Sequence, residues 1–288
     1  CANITSSGSY YLTQNISSEA TCINITANDV EIDCRNFEIN YSYSGTLGYG
    51  VYSNYNNTNI TNCIIKEGNS TTSDKFAVFL DGTYDALIYN NSIESIGSHS
   101  VRVYGGNNNN ISGNNIDLLV TLGINGIDMD QSPNAWIYNN RILMPLRFQV
   151  GIDVRDSNHS SILYNNITID ERDHDGIYVE NSDWLNISFN NITAPESWPD
   201  TLPLRMLGSD DSFVEDNNIN QSEDTGSAHY GIYLVDSINN TFNRNTFNYG
   251  LASWPFFFSV SEKRFYNHSI NESNTVEGRQ IYYYFDQD

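Results

Sequence analysis

A six-residue pattern of apolar and polar positions repeats along most of the chain. It reads I-x-x-N-x-I, with valine or phenylalanine in some apolar positions, and successive copies lie 23 to 28 residues apart. The asparagines of the pattern are Asn91, Asn114, Asn140, Asn165, Asn190, Asn217 and Asn245. One further copy, between Ile60 and Ile65, has Cys63 in the asparagine position. Self-similarity at such a period is the signature of a repeat architecture.

A short apolar segment precedes each of these asparagines and predicts a β-strand. The segments are AVFL at 77, SVRV at 100, GIDM at 126, GIDV at 151, GIYV at 176, PLRM at 203 and GIYL at 231. The second residue of each segment lies 13 residues before the asparagine, so the variation in length falls between the asparagine and the next segment. Alternating apolar residues rich in β-branched types indicate strands, and no helical period competes with them.

Short strands that recur without helices between them favour a solenoid in which each coil pairs with the next. Equivalent inward residues would then stack at the strand spacing of ~4.8 Å and bury one continuous core. The repeated asparagines would meet at a turn, where their side-chain amides can form a hydrogen-bonded ladder along the axis. We therefore expect these asparagines to have a structural role.

Two segments of the chain resemble a known group of proteins. The opening CANITSSGSYYLTQNISSEATCINITANDVEIDC, with YGVYSNYNNTNITNCIIKEG after it, resembles the N-terminal end of archaeal surface proteins with pectate-lyase-like, NosD-like repeats. The segment NTVEGRQIYYYFDQD resembles one that follows their coils. The resemblance implies an all-β fold, a single-stranded right-handed parallel β-helix of about nine coils. It implies no single activity, because this fold carries lyases, hydrolases, epimerases, adhesins and structural proteins.

The two ends of the solenoid require caps, because open strand edges promote polymerisation. We predict an N-terminal cap at residues 1–30, coils at 31–250, and a C-terminal coil with an aromatic cap or contact segment at 251–288. The aromatic segments WPFFFSV and IYYYF would cover the C-terminal end or contact another subunit.

All four cysteines lie in the first quarter of the chain. Their positions predict two disulfides, Cys1 with Cys22 and Cys34 with Cys63. None of them has the C-x-x-C spacing of a zinc site, and the five histidines are scattered, so a zinc site is not expected.

The net charge narrows the classes of partner. The chain has 35 acidic and 13 basic residues and a formal charge of −22, so nucleic acid would be repelled over most of its surface. No stretch has the length of apolar residues needed to cross a bilayer. The chain opens at Cys1 with no signal peptide, as expected of a mature or excised form.

Asparagine in the context N-x-S/T occurs seventeen times, and this density favours an exported protein. The glycosylation candidates are Asn3, Asn15, Asn24, Asn40, Asn56, Asn59, Asn69, Asn110, Asn158, Asn186, Asn220, Asn239, Asn267 and Asn271. We expect an extracellular or cell-surface location.

The outward positions of the predicted strands carry the candidate chemistry. These residues are Arg102, Asp128, Asp153, Arg155 and Tyr178. Two carboxylates one strand apart repel each other, which raises one pKa unless a cation or an arginine intervenes. Such a pair suits a calcium-dependent lyase or an acid/base glycosidase, and a neighbouring tyrosine can stack on sugar rings.

A charged insert at residues 168–175 precedes the strand that carries Tyr178. His174 is a candidate general base, and Asp170, Asp173 and Asp175 are candidate calcium ligands together with Asp128 and Asp153. The alternative is a hydrated turn in which Arg172 pairs with its acidic neighbours.

Three functions remain open from the sequence. The first is a surface glycoprotein that serves as a structural or adhesive unit of a surface layer, sheath or filament and assembles with itself or other surface proteins. The second is a polysaccharide lyase, epimerase or hydrolase, although the N-T-D, G-H-G and R-I-K motifs of polygalacturonases and the D-P-H-E element of alginate epimerases are absent. The third is a carbohydrate-binding protein without turnover. Apart from calcium, no cofactor is expected.

Overall fold

The chain folds into a parallel β-solenoid with three sheets, which we call A, B and C. The computed structural model describes residues 1–69, 75–119, 123–171, 173–194, 201–221, 229–248 and 253–283. The predicted fold class is confirmed, since successive coils add one strand to each sheet and only a short 3-10 helix, Lys263–Tyr266, interrupts the strands of the described residues.

Sheet A contains the longest strands and is built from β1 (Ala2–Ile4), β4 (Ile23–Ile25), β7 (Tyr49–Ser53), β10 (Phe76–Asp81), β13 (His99–Tyr104), β16 (Ile124–Asp130), β19 (Gln149–Arg155), β22 (Asp175–Glu180), β25 (Leu202–Leu207), β28 (His229–Val235) and β31 (Ser253–Ser259). Sheet B is built from β2 (Gly8–Tyr11), β5 (Val30–Asp33), β8 (Thr58–Thr61), β11 (Leu87–Tyr89), β14 (Asn110–Ser112), β17 (Trp136–Tyr138), β20 (Ser161–Leu163), β23 (Asn186–Ser188), β26 (Phe213–Glu215), β29 (Thr241–Asn243) and β32 (Ser269–Ile270). Sheet C is built from β3 (Ile16–Ser17), β6 (Glu38–Tyr41), β9 (Ile64–Glu67), β12 (Ser92–Ser95), β15 (Asn115–Leu118), β18 (Arg141–Met144), β21 (Asn166–Ile169), β24 (Asn191–Ala194), β27 (Asn218–Gln221), β30 (Thr246–Asn248), β33 (Thr275–Val276) and β34 (Arg279–Gln280).

The core is a set of isoleucine columns that run along the axis. In sheet B, Ile137 pairs in register with Ile162, and Ile162 pairs with Ile187. All three side chains are fully buried. Because the side chains of a strand alternate between its two faces, this register places every second residue of each coil in the same apolar interior.

Glycines at the start of the central sheet A strands allow close stacking of the coils. A Cβ atom built on Gly151 would lie 2.5 Å from the carbonyl oxygen of Gly176 in the next coil. A Cβ on Gly126 would lie 2.6 Å from the carbonyl oxygen of Gly151. A Cβ on Gly176 would likewise lie 2.6 Å from the carbonyl oxygen of Pro203, so close stacking explains the glycine in three of the four strand segments that begin with one.

The repeated asparagines form a ladder at the turn between sheets B and C. The side-chain amide of Asn140 donates to Oδ1 of Asn165 at 3.0 Å, and that of Asn165 donates to Oδ1 of Asn190 at 3.0 Å. Each Oδ1 also accepts the backbone N–H of the preceding asparagine. Asn274 extends the ladder beyond the copies found in the sequence, because its Oδ1 accepts from Asn245 at 2.9 Å.

A second ladder, which the sequence analysis missed, lies at the turn between sheets A and B. There the backbone N–H of one serine donates to the hydroxyl of the serine in the next coil, at 2.9 to 3.1 Å. Its members are Ser132, Ser157, Ser182, Ser209 and Ser237. Both ladders satisfy buried polar groups that would otherwise be costly.

The ends of the solenoid differ in construction. The disulfides Cys1–Cys22 and Cys34–Cys63 tie together the first coils, as expected, with Cα–Cα distances of 4.5 and 4.7 Å. At the other end, most of the segment WPFFFSV forms β31, and β33 with β34 makes the antiparallel pair that ends sheet C.

The aromatic segment IYYYF lies only partly within the described residues. Tyr283 stacks on Phe258 with ring centroids 5.5 Å apart, and its hydroxyl donates to the carbonyl of Tyr266. Tyr284 and Phe285 lie outside the described residues. Within the described ranges, no helix is long and apolar enough to cross a membrane.

Candidate functional site

The outer face of sheet A carries most of the residues singled out in the sequence. Ile127 and Met129 of β16 point into the core, so Asp128 between them points outward. We call the following residues the charged stripe: Arg102, Asp128, Asp153, Arg155, Asp175, Tyr178, Glu180 and Arg205. They occupy five consecutive strands, from β13 to β25.

Arg102 holds the first carboxylates of the charged stripe. Its Nη1 lies 2.8 Å from Oδ2 of Asp128, and its Nη2 lies 3.5 Å from Oδ2 of Asp130. Burial raises the pKa of Asp128 to about 6, although Arg102 opposes the rise and Asp153 adds to it. Burial therefore favours the protonated form of Asp128 more than in a carboxyl group exposed to water.

Asp153 is held by two neighbours on the same face. Arg155 donates to it through Nε at 2.9 Å and Nη2 at 2.8 Å, and Asn125 donates through Nδ2 at 2.8 Å. Burial raises the pKa of Asp153, while Arg155 and Asn125 oppose the rise. The expected repulsion between Asp128 and Asp153 is thus countered by one arginine for each carboxylate.

Asp128 and Asp153 are less accessible than outward positions usually are. The Asp128 side chain is 7% exposed and the Asp153 side chain 1% exposed, whereas Arg155 beside them is 47% exposed. The long side chains of Arg102 and Arg155 bond the carboxylates and shield them from solvent. A ligand approaching this face would therefore meet guanidinium groups before carboxylates.

Tyr178 packs against arginines of the neighbouring coils. The guanidinium carbons of Arg155 and Arg205 each lie 5.3 Å from the centre of its ring, at cation–π distance. Its hydroxyl donates to Glu180 at 3.0 Å, and burial together with Glu180 raises its pKa to about 12. Both flanking arginines therefore contact the ring of Tyr178, and the sugar-stacking role expected from the sequence stays a prediction.

A depression of about 480 Å³ lies at the C-terminal end of the charged stripe. Its lining includes Asp173, His174, Asp175, Arg205, Tyr233 and Phe257. Arg205 approaches Asp175 at 3.7 Å, and burial raises the pKa of Asp175 to about 6 while Arg205 opposes the rise. The depression therefore combines acidic, basic and aromatic groups.

His174 is buried in the wall of this depression, at 2% exposure. Its Nδ1 accepts the backbone N–H of Gln149 at 3.0 Å, and burial lowers its pKa to about 4. The ring is neutral at pH 7, and because Nδ1 accepts, the ring proton resides on Nε2. Nε2 has no hydrogen-bond partner among the described residues.

Two other acidic residues of the insert, Asp170 and Glu171, make contacts with the preceding coil. The backbone N–H of Asp170 donates to Met144, and Glu171 pairs with Arg147 at 3.5 Å. Arg172, proposed as a pairing partner in a hydrated turn, lies outside the described residues. The buried position of His174 disagrees with a fully hydrated turn.

Aromatic clusters flank the charged stripe at both ends. On the N-terminal side, rings of β7, β10 and β13 lie 5.1 to 6.0 Å apart. These rings are Tyr49, Tyr52, Phe76, Phe79 and His99. On the C-terminal side, Tyr230 and Tyr233 pack on Phe257 at 4.4 and 5.1 Å.

The amino-acid sequence of the central coils matches a known protein family. Residues 50–199, more than half of the chain, match the family described as the right-handed β-helix region. The chain belongs to this family. No curated protein sequence is significantly similar to it.

Two solved structures share the fold of this right-handed β-helix. The Streptococcus pneumoniae surface protein and adhesin PfbA has a TM-score of 0.52 and 13% identity, with coverage of 88% of this chain and 90% of the adhesin chain. The tailspike protein of Escherichia coli bacteriophage HK620, solved in complex with a hexasaccharide, has a TM-score of 0.55 and 11% identity. The match covers 95% of this chain and about half, 51%, of the tailspike chain. At such identities the similarity establishes the fold alone.

The candidate calcium ligands of the β-helix are distributed over several coils. Asp128 and Asp153 pair with arginines, and Asp175 approaches Arg205. Within the part of the chain that the structure describes, no group of three or more acidic, histidine or cysteine side chains is arranged to hold a metal ion.

Sequence reasoning missed two residues of this face. Asn125 bonds Asp153, and Tyr230 packs on Phe257. Asn125 lies two residues before the second position of its strand segment, where strict alternation predicts an inward side chain. It points outward because Gly126 and Ile127 are both buried and interrupt the alternation, so the sequence pattern did not identify it.

Proposed function

We propose that this chain is an extracellular surface protein that binds an uncharged polysaccharide along the outer face of sheet A. The observation that carries the proposal is the depression at the end of the charged stripe, where Tyr233 and Phe257 lie beside Arg205 and Asp175. An aromatic wall with a few convergent polar groups is the usual construction of a small-molecule site. The guanidinium group of Arg205 can donate to a sugar hydroxyl, and the carboxylate of Asp175 can accept from one.

The polysaccharide is proposed to be uncharged for two reasons. The net charge of −22 repels polyanions. In addition, Arg102, Arg155 and Arg205 each already approach a carboxylate. The positive charge of these arginines is therefore already balanced by carboxylates. Their remaining N–H groups suit the hydroxyl oxygens of an uncharged sugar better than the charge of an anion.

The extracellular location and surface role are part of the same proposal. Two disulfides favour an oxidising compartment, and the density of glycosylation signals favours export. Within the right-handed β-helices we assign the chain to the NosD-like repeats of archaeal surface proteins, on the segments that resemble them. Assembly with further copies is also proposed, since β1 and β31 each have one edge that pairs with no strand of the described residues.

The proposal predicts that Tyr233→Ala weakens polysaccharide binding about tenfold, because the ring that would stack on a sugar is lost. The measurement is an array of uncharged and acidic oligosaccharides, followed by titration of the best ligand. Tyr233→Phe should keep most of the affinity, because it keeps the ring. Tyr89→Ala is the matched control, since Tyr89 is 49% exposed on sheet B.

Three results would count against a binding protein of this kind. Binding to no uncharged glycan, or an equal loss in Tyr233→Ala and Tyr89→Ala, would contradict the proposed face. Release of shortened oligosaccharides from the same samples would show that the protein is an enzyme. Asp128, whose pKa is raised, would then be the candidate proton donor.

A further inference from the structure

Residues with left-handed backbone form a regular column at the turn between sheets A and B. The backbone N–H of each residue donates to a backbone carbonyl oxygen in the next coil. For every member but the last, this carbonyl belongs to the residue just before the next member of the column, as when Trp184 donates to Asp210. The column contains Asn57, Asp85, Asn108, Asn134, His159, Trp184, Asp211 and Asn239, with φ between 54° and 61°. Asparagine and aspartate tolerate this conformation, whereas a bulky aromatic residue adopts it at a cost in strain.

Trp184 is the exception that needs an explanation. Its φ is 54°, and its side chain is 49% exposed. The ring stacks on His159 of the preceding coil, with centroids 4.9 Å apart and planes 9° from parallel. The strained backbone and the exposed indole both cost free energy, and a group that covered the ring would offset this cost.

A glycosylation signal lies two residues after Trp184. Asn186, Ile187 and Ser188 form the sequence N-I-S on β23, and the Asn186 side chain is exposed on the outer face of sheet B. Its register partner in the next coil is Phe213, which is 53% exposed. Asn186 therefore has an exposed aromatic residue on its own coil and another beside it on the next.

The hydrogen bonds around Asn186 leave its modification atom available. The hydroxyl of Ser188 donates to Oδ1 of Asn186, and Nδ2 donates to no other described residue. Several other asparagines in N-x-S/T contexts use Nδ2 for contacts with neighbouring coils. These are Asn24, Asn90, Asn191, Asn220 and Asn239.

We propose that Asn186 carries an N-linked glycan whose first sugar rings pack on Trp184 and Phe213. One face of a sugar ring presents mainly C–H groups, which suit the electron-rich face of an aromatic ring, while the hydroxyl groups stay in water. The glycan covers apolar surface that the protein alone leaves exposed. This site is on sheet B and does not depend on polysaccharide binding at sheet A.

The test is a cycle of four full-length proteins secreted from a host that attaches N-glycans: wild type, Asn186→Gln, Trp184→Asn and the double variant. Glycopeptide mass spectrometry gives occupancy at Asn186, and thermal unfolding gives the melting temperature. We expect Asn186 to be occupied, and Asn186→Gln to lower the melting temperature by about 3 °C. In the Trp184→Asn background the same change should lower it by less than about 1 °C. Trp184→Asn keeps the fold, because asparagine occupies four other positions of the column.

Two controls separate the glycan from the side-chain change. The same four proteins from a host without N-glycosylation should show no coupling between the two positions. Asn15→Gln removes another exposed N-x-S/T site, and the residue two positions before Asn15 is Thr13 instead of a tryptophan. This substitution should shift the melting temperature equally in the wild-type and Trp184→Asn backgrounds.

An unoccupied Asn186 would overturn the proposal, and so would an equal effect of Asn186→Gln in both backgrounds. If the protein without glycans instead bound free oligosaccharides, and Trp184→Asn abolished that binding, the surface would be a ligand site and the proposal would be wrong.

Discussion

Burial changes the chemistry of individual residues on this surface in opposite directions. His174 is buried and uncharged, with its pKa lowered to about 4. Asp128 is also buried, but its pKa is raised to about 6. In both cases desolvation disfavours the charged form, which lowers the pKa of a base and raises that of an acid.

His174 makes the fold sensitive to mild acid. A histidine whose pKa is lowered on folding stabilises the protein above its unfolded pKa of 6.5, and this contribution is lost as pH falls toward 4. We expect His174→Gln to reduce the loss of unfolding free energy between pH 7 and pH 4 by about 2 kcal/mol.

Urea unfolding at a series of pH values measures this difference. Asp128 and Asp175 act in the opposite sense, since a raised carboxyl pKa contributes stability that is lost as pH rises through about 6. They are present in both proteins, so their effect cancels in the comparison. Parallel stability curves for wild type and His174→Gln would show that folding leaves the pKa of His174 unchanged, which would contradict the prediction.

At the level of elements, the asparagine ladder joins strands of different coils into one structure. Asn165 donates through Nδ2 to Oδ1 of Asn190 at 3.0 Å and to the carbonyl of Ile137 at 2.9 Å. Its own Oδ1 accepts from the backbone and the side chain of Asn140, each at 3.0 Å. One buried side chain therefore satisfies groups from the coils on both sides of its own.

Asn165→Ala should destabilise the protein by about 3 kcal/mol or more, because it leaves several buried polar groups without partners. The measurement is the free energy of unfolding in urea. Asn166→Ala is the matched control, since the adjacent Asn166 side chain is exposed, and we expect a change below about 0.5 kcal/mol there. Equal effects of the two substitutions would mean that the ladder does not contribute to stability.

At the scale of the whole molecule, the coils contact mainly their immediate neighbours, so that local stability varies along the axis. The two disulfides lie at one end, where Cys34–Cys63 links coils 29 residues apart in sequence. Asn245 and Asn274 continue the ladder toward the other end without any covalent link.

Replacing Cys34 and Cys63 together by alanine should destabilise the N-terminal coils by about 3 kcal/mol, through the larger freedom of the unfolded chain. Amide hydrogen exchange measures this region by region. We expect faster exchange in β5 to β9, with unchanged exchange in β16 to β24. A uniform increase along the whole chain would indicate that the solenoid unfolds as a single unit.

The sequence by itself determined the repeating part of the structure. The period of the I-x-x-N-x-I pattern and the constant distance of 13 residues from strand segment to asparagine fix the register of the coils. The reason is physical, because a parallel solenoid must place equivalent residues directly above one another. Short-range alternation also placed Arg102, Asp128 and Tyr178 on one outer face.

Only the tertiary structure decided what these outer residues do. Whether Asp153 is exposed depends on where the side chains of Arg155 and Asn125 lie, and whether Tyr178 can stack on a sugar depends on Arg155 and Arg205 in the flanking coils. Likewise, N-x-S/T signals alone do not distinguish Asn186 from Asn24, since the difference lies in hydrogen bonds between coils. Burial, pKa and access are set by several side chains at once, and a periodic sequence pattern specifies only their order along the chain.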